Sequence, residues 1–445
     1  MQRKISPVAK KAVEHYVAQS ELLNATCQSA SLQKIRQQAQ QLLNEQGFPT
    51  QRDEEWQYTR LTGFVQNHFA MQPAVPVTSQ QVRQFMPGFP VTMVVFVDGW
   101  FSESLSDDLE ALPKGVIYES FRDIESIAGN AEVLFEREKQ ITKEPFGVLN
   151  SLLLADGFYL QLAANAYMEM PFFVLHIQTQ KNQMSNVRNR VELGENAELT
   201  LVERFVSLAE LTGETDSSAC TNVVTEIEIA KQARCKQIVM QEQNDSAFYF
   251  NNQFIYQADN SSFHSFYGGL GSQLSRHQNH ILMNGEYIES QQNSACLAKD
   301  NQVVDSRTDT QHNDVWGTSQ QLHKYVLTDH AIGVFNGMIR VDQKAQKTDG
   351  QMDNKNLLLS NQAKMDTKPQ LEIYADDVKC SHGSASGQID KNQIFYLQAR
   401  GIRRADAIKM ITHAFLLEPA EDISNEQIRH WVTDRLSAGL VKIHQ

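Results

Sequence analysis

The amino-acid sequence predicts a mainly β protein, with a β-solenoid core flanked by N-terminal and C-terminal α-helical regions. Three observations carry that prediction. From Gly157 to Gly401, strand-like segments of about four to eight residues follow one another almost without helix, each bounded by Gly, Asn, Asp or Ser. The run of roughly 240 residues is long for a single sandwich. Its strands also carry internal Gln, Asn and Ser, which stacked coils accommodate because each side chain can bond to the same position in the next coil. Turn signals are unevenly spaced and no strict repeat is visible, so on the residues alone a compact sandwich stays open.

Residues 1–90 form an N-terminal helical region. Leu32, Ile35, Ala39 and Leu42 recur at helical spacing, and Gly47 followed by Pro49 stops the helix. The polar stretch after Pro49 carries Trp56 and Tyr58, and reads as a connector whose rings pack under a loop. Residues 91–156 are a mixed α/β lead-in: VTMVVFVDG from Val91 is a buried strand, and SLSDDLEAL and EVLFEREKQ are short helices. The β-helix core is assigned to residues 157–401. It runs from FYLQLAAN through AIGVFNGMIRVD, NKNLLLS and QLEIYADDVKCSHGSASGQID, and QIFYLQARGI is read as its last strand. Residues 402–445 return to helix. Ile408, Ile411 and Phe415 make an apolar stripe, Pro419 ends that helix, and Ser424 to Gln427 is a capping box opening a second one. That second helix carries an exposed-looking Trp431, so the pair is either a solenoid cap or a docking surface built on Ile408, Ile411, Phe415 and Trp431.

Composition excludes several function classes. Forty basic against 53 acidic residues give a net charge of −13, which argues against nucleic acid or an anionic membrane as the main partner. Five scattered cysteines are no disulfide framework and suit a reducing cytosol. The N-terminus lacks an apolar signal region, and runs such as VTMVVFV are far short of a membrane span, so a cytoplasmic protein is expected. No Gly-Lys pair occurs, hence no P-loop and no ATP site in this chain. Gly269-Leu-Gly271 lacks the third glycine of a dinucleotide fingerprint, and no Gly-x-Ser-x-Gly elbow is present. Glu226-x-Glu228 is the one carboxylate pair at strand spacing that a glycan-cleaving enzyme could use, and it reads as a solvated face. His277 and His280 fall on opposite faces of a strand, while His312, His323 and His330 read as spread across turns; all are expected to be hydrogen-bonded members of the fold.

Cys380 and His382 differ. On a strand, i and i+2 share a face, so the sulfur and the imidazole stand side by side as half of a soft-metal site. A tetrahedral site needs four ligands, and no other cysteine is nearer in sequence than Cys296. If the pair binds metal, the site is an open or shared one, completed by another chain or an incoming ligand. With a reference pKa of ~6.5, His382 can serve as a neutral ligand or an acid near neutral pH.

The sequence resembles the SufB/SufD family of the SUF iron–sulfur cluster assembly machinery. The matches are Arg52-x-x-Glu55-Trp56-x-Tyr58-Thr59, Ser275-Arg276, Asp309-x-x-His312 before Ser319, and Phe335-Asn336-Gly337-Met338-Ile339. Most specific is the block from Gln351 to Gly401. The resemblance implies a right-handed parallel β-helix between helical ends, a complex with a SufB-like paralogue and a SufC-like ABC ATPase docked on the C-terminal helices, and no catalysis by this chain. It also implies a transient iron–sulfur cluster forming where His382 faces a cysteine of the paralogue, with Cys380 as auxiliary. SufB-type members carry a cysteine where this chain has Leu397, and a leucine cannot ligate iron, so the chain falls on the SufD side. The alternative is a purely architectural protein that recruits the ATPase without contacting iron. A homodimer is possible when the chain is isolated.

Overall fold

The computed structural model describes residues 6–27, 29–121, 135–208 and 218–443. It is mainly β, a parallel β-solenoid with helices at both ends of the chain. Successive strands alternate between two sheets. The first holds, from one end, Lys379–Gly387, Asp349–Leu358, Thr318–Leu327, Glu289–Ala298, Ser262–Gly269, Arg234–Glu242, Glu198–Ser207, Phe172–Gln178, Thr92–Val97 and Trp100–Phe101. The second holds Lys364–Ile373, Ile332–Val341, Val303–His312, Leu274–Met283, Phe248–Gln257, Cys220–Ile229, Met184–Leu193, Asp156–Leu162 and Val116–Ser120. All pairings within the stack are parallel, and each sheet finishes at its N-terminal end in a short antiparallel strand.

Most core strands have ten residues, longer than the four to eight expected. Three very polar ones, Met184–Leu193, Glu289–Ala298 and Val303–His312, escape a propensity reading because ladder bonds to both neighbours, not β-branched content, hold them in place. The missing repeat has a simple cause. Along one register row, Gln237, Ser265, Gln292, Gln321, Met352 and His382 are separated by 28, 27, 29, 31 and 30 residues, so turn length varies while the stack stays in register. One corner is marked by a file of residues in the left-handed region, among them Asn196, Gln232, Asn260, Tyr287, Trp316 and Lys347. Each sends its backbone N–H to a carbonyl of the next coil, as Asn260 does to Glu286 O at 2.8 Å and Trp316 to Gln346 O at 3.0 Å. Those bonds offset the strain of φ near +60° at non-glycine positions.

The predicted helices at 1–47 are Pro7–Thr26 and Ala30–Gln46. SLSDDLEAL yields two short 3-10 turns, Glu103–Leu105 and Leu109–Ala111; EVLFEREKQ lies partly outside the described residues, and its end begins a helix at Glu138–Ile141. QIFYLQARGI is no strand. Lys391–Gln398 is a helix, capped by Asp390, whose carboxylate accepts from Asn392 N at 2.8 Å. Its Ile-Phe-Tyr run mimics a strand, but the cap and the Lys, Gln and Leu content favour helix. The final helix, Glu426–Ile443, starts one residue later than the capping box implied: Asn425 accepts from Ile428 N at 3.1 Å. The C-terminal helices lie along the outer face of the first sheet rather than over an end. Trp431, far from exposed, is 9 % accessible and meets Phe173 and Phe89 edge-on.

The histidines of the core titrate abnormally. His176 is sandwiched between Phe96 and Phe205, and His277 is stacked on Tyr267 with ring centroids 4.1 Å apart. His323, expected in a turn, lies mid-strand and is hydrogen-bonded through Nδ1 to Ser294 Oγ at 2.8 Å; His312, at a strand end, is hydrogen-bonded through Nε2 to Ser319 Oγ at 2.9 Å. Burial pushes His176, His277 and His323 down to about 3 and His312 to about 4. In the unfolded chain each takes up a proton below ~6.5. The unfolded state therefore binds more protons, and stability falls as pH drops from ~6.5 toward the folded values. Buried Glu203 and Glu226, each pushed up to about 7 chiefly by burial, act oppositely and offset two of the four over the range ~4.3 to 7. From these groups we expect unfolding free energy to fall by about 3 kcal/mol per pH unit near pH 5. Denaturation midpoints against pH check this, and His176→Phe, which keeps the stack and removes one titrating group, should flatten the slope by one proton.

Candidate functional site

The site is built on the last coil. Lys379–Gly387 pairs only with Asp349–Leu358, and Lys364–Ile373 only with Ile332–Val341, so among the described residues both sheets end on an unpaired strand. Lys379 N donates to Thr348 O, so the odd residues of that strand bond inward along the sheet and the even ones turn their amides to the free edge. In the other sheet Lys364 N donates to Ala331 O, which places Pro369 among the edge-facing residues, where its missing N–H costs no ladder bond.

Register fixes where the two candidates point. Cys380 continues the inward row Cys235, Phe263, Ser290, Ser319, Gly350, and packs half-buried against the interior core. His382 continues the row of Gln237, Gln292, Gln321 and Met352, all buried. Both side chains thus share the interior face, as i, i+2 spacing predicts. His382 is exposed because no coil follows to cover it. Directly below it Met352 fills the row; a Cβ on Gly337 opposite would strike its sulfur, so the glycine makes room for that plug. One residue pair further along, Ser384 Oγ donates across the mouth to Thr367 Oγ1 at 3.2 Å.

The donor set is small. Burial raises the Cys380 thiol above its ordinary value, helped by the Asp349 charge, so it is a protonated sulfur at neutral pH rather than a ready thiolate. Among the described residues no group of three or more His, Cys, Asp or Glu side chains is placed to hold a metal ion. Cys380 and His382 are brought together; no third ligand from this chain joins them.

Of the residues expected to receive an ATPase, Trp431 is spent on intramolecular packing, and Ile408, Ile411 and Phe415 are half-buried, Phe415 under the Lys324 ammonium at 4.3 Å. Apolar groups left accessible on the C-terminal helices include Phe395, Tyr396, Met410 and Val441. Leu397, expected on a strand, lies on the helix Lys391–Gln398. Glu226 is not on a solvated face: it is buried between Arg188 and Arg190, 3.7 and 3.9 Å away, so it belongs to a structural ion-pair cluster with Glu228 and Arg137 at its rim.

The N-terminal motif has a job that the sequence did not reveal. Thr59 Oγ1 donates to Asp305 Oδ2 at 2.6 Å, the buried Arg276 guanidinium pairs with the same carboxylate and lies 3.8 Å over the Trp56 ring, and Arg276 Nη2 donates to Glu55 O at 3.1 Å. Glu55 pairs with Arg307 and Glu54 with Lys368 on the last coil, the latter at 2.6 Å. Residues 54–59 are therefore a strap clamped across the outer face of the second sheet, and Trp56 is packing, as expected, while Tyr58 is exposed.

The chain is a two-sheet parallel β-solenoid whose sheets both end, among the described residues, on an unpaired strand, with Cys380 and His382 on the interior face of that last coil. The chain belongs to the SufBD family: the profile of the SUF system FeS cluster assembly SufBD core domain matches residues 176–415, and that of the SufBD protein N-terminal region matches residues 7–174. It is 36 % identical over 413 residues to the iron–sulfur cluster assembly protein SufD of Escherichia coli (strain K12), covering 92 % of each chain. It is 29 % identical to an iron–sulfur cluster assembly SufBD family protein of Synechocystis, covering 87 % of this chain and 86 % of that one. To the chloroplastic protein ABCI7 of Arabidopsis thaliana it is 26 % identical, covering 90 % and 84 %. The chain is thus a SufD homologue within a system for iron–sulfur cluster assembly. No described helix is long and apolar enough to cross a membrane.

Proposed function

We propose that this chain is a non-catalytic scaffold subunit that pairs through its open last coil with a SufB-like paralogue, recruits a SufC-like ABC ATPase through its C-terminal helices, and contributes His382 to a shared site where an iron–sulfur cluster, the cargo of the complex, is assembled. The observation that carries this reading is the coincidence of the unpaired sheet edges with His382 and Cys380 facing the same mouth. A neutral imidazole is a competent ligand or proton acceptor for iron and sulfide, and the edges offer backbone groups to a partner strand.

The pairing mode is tested at the edge. Ser386 is an even residue whose amide turns to the free edge, so Ser386→Pro removes one edge donor and no ladder bond. The folded chain should lose at most about 1 kcal/mol, for the Asn356–Ser386 hydrogen bond. Affinity for the paralogue, or self-association of the isolated chain, should fall by about tenfold or more, read by analytical ultracentrifugation. Undiminished association would rule the edge out. For the ATPase, Met410→Asp puts a charge on an exposed apolar position of Arg404–Leu417 and should weaken co-purification of the ATPase about tenfold while leaving the paralogue bound.

A further inference from the structure

The interior of this solenoid is polar where it could have been sealed by aliphatic residues. Around the coil that carries Glu203, five inward-facing side chains are fully buried yet keep polar atoms without a protein partner: Glu203 Oε1, Gln237 Oε1, Asn251 Oδ1, and both the oxygen and the nitrogen of Gln241 and of Gln253. Only Gln237 Nε2 answers Glu203, at 2.9 Å on Oε2, and only Asn251 Nδ2 reaches Tyr249 OH, at 2.8 Å. Native interiors rarely leave that many buried groups unpaired, and a polar void is wet where an apolar one is dry.

The polarity does not stop there. A cavity of about 10 Å³, room for one water, adjoins Gln237 and is walled by Tyr267, His277, Asn279, Ser294 and His323. Beyond it, side chains of the two sheets bond across the axis: Asn279 Nδ2 to Gln292 Oε1 at 3.2 Å, Gln292 Nε2 to Thr310 Oγ1 at 2.9 Å, and Thr308 Oγ1 to Gln321 Oε1 at 2.7 Å. The row that contains His382 is closed by Met352. The neighbouring row runs Glu203, Val239, Tyr267, Ser294, His323, Asn354, Ser384: Val239 interrupts it beside Glu203, where the cavity at Gln237 adjoins it, and its last four coils are polar, with Ser384 at the mouth beside His382 on the same face. Six strand spacings separate Glu203 from Ser384 along that row, about 29 Å.

We propose that the solenoid binds water along this internal seam, as a buried cluster around Glu203, Gln237, Gln241 and Gln253 that continues through the Ser294–His323–Asn354–Ser384 row and opens beside His382. The seam is a water-binding site and a proton path from a buried carboxyl to the mouth. Its use, supplying or taking up protons at the site when a partner closes the open end, rests on the reading of His382 as a cluster-site residue; the hydration itself does not.

Three measurements on the full chain test it. A high-resolution crystal structure should show ordered waters within hydrogen-bond distance of Gln253 and Gln237 Oε1; a dry interior in which those groups have paired with one another overturns the proposal. Gln253→Leu should lower the denaturation midpoint by stripping water from its neighbours, whereas a rise would mean that Gln253 was buried dry. In D2O the infrared carbonyl band of the protonated Glu203 carboxyl, assigned by its loss in Glu203→Gln, should shift well before global unfolding and more slowly in Asn354→Leu. A band that exchanges only at the unfolding rate in the wild-type chain overturns the seam without needing any variant to fold. Failure of His382 replacement to affect cluster yield would instead overturn the functional reading and leave the hydration results standing.

Discussion

Replacing His382 by alanine is expected to abolish iron–sulfur cluster build-up on the complex while leaving the chain folded and its partners bound. The stability half of that expectation follows from exposure. His382 lies on the last coil with no coil above it, so its loss removes no core contact, and surface changes of this kind stay within about 0.5 kcal/mol. The functional half follows from the ligand inventory. This chain offers one imidazole and one protonated thiol at the mouth, and no third metal-binding side chain joins them among the described residues. Removing the imidazole therefore leaves only the half-buried, protonated thiol in the mouth. Cys380→Ser should cost far less, because its half-buried thiol sits deeper in the same face and is held protonated by burial. The check is visible absorbance and iron and sulfide content of the co-purified complex, with partner stoichiometry measured alongside. A cluster yield equal to wild type in His382→Ala would leave the purely architectural reading as the better one.

How much of this was visible beforehand differs by level. Fold class was legible because the long succession of strand-like runs, their bounding turn residues and internal Gln and Asn are local properties, although strand length was underestimated. Coil count and register were not, since steps between 27 and 31 residues leave no period to detect. The last supposed strand failed for the opposite reason: Ile394, Phe395 and Tyr396 carry a β signal that the Asp390 cap overrides. At the site, i, i+2 spacing correctly joined Cys380 to His382, but only register shows that their shared face is the interior. Trp431 looked like a docking residue because an amphipathic helix does not say what covers its apolar face. His323 and Glu226, read as turn and solvated surface, are buried because polar residues in this core are paid for by ladders and ion pairs that no local pattern records. The motif residues near Trp56 and Arg276 are 220 positions apart in the chain, and nothing in either stretch announces the other.

That long-range contact carries the largest stability effect we expect. Asp305→Ala should destabilise the protein by about 3–5 kcal/mol, because it strips the counter-charge from a guanidinium that remains buried against Trp56 and orphans the Thr59 hydroxyl. Asp305→Asn, which retains an acceptor for Thr59 and loses the charge, should fall between that variant and wild type. Trp56→Ala opens a cavity under the same strap and should cost about 3 kcal/mol through packing alone. If the clamp works as a unit, the losses in an Asp305→Ala/Trp56→Ala double variant will sum to less than their separate values, because both release the same segment. Strict additivity in denaturant unfolding would mean that the strap is held elsewhere. Because Glu54 of the strap reaches Lys368 on the open strand, its release should also loosen that edge, and Asp305→Ala should weaken association with the paralogue without touching His382.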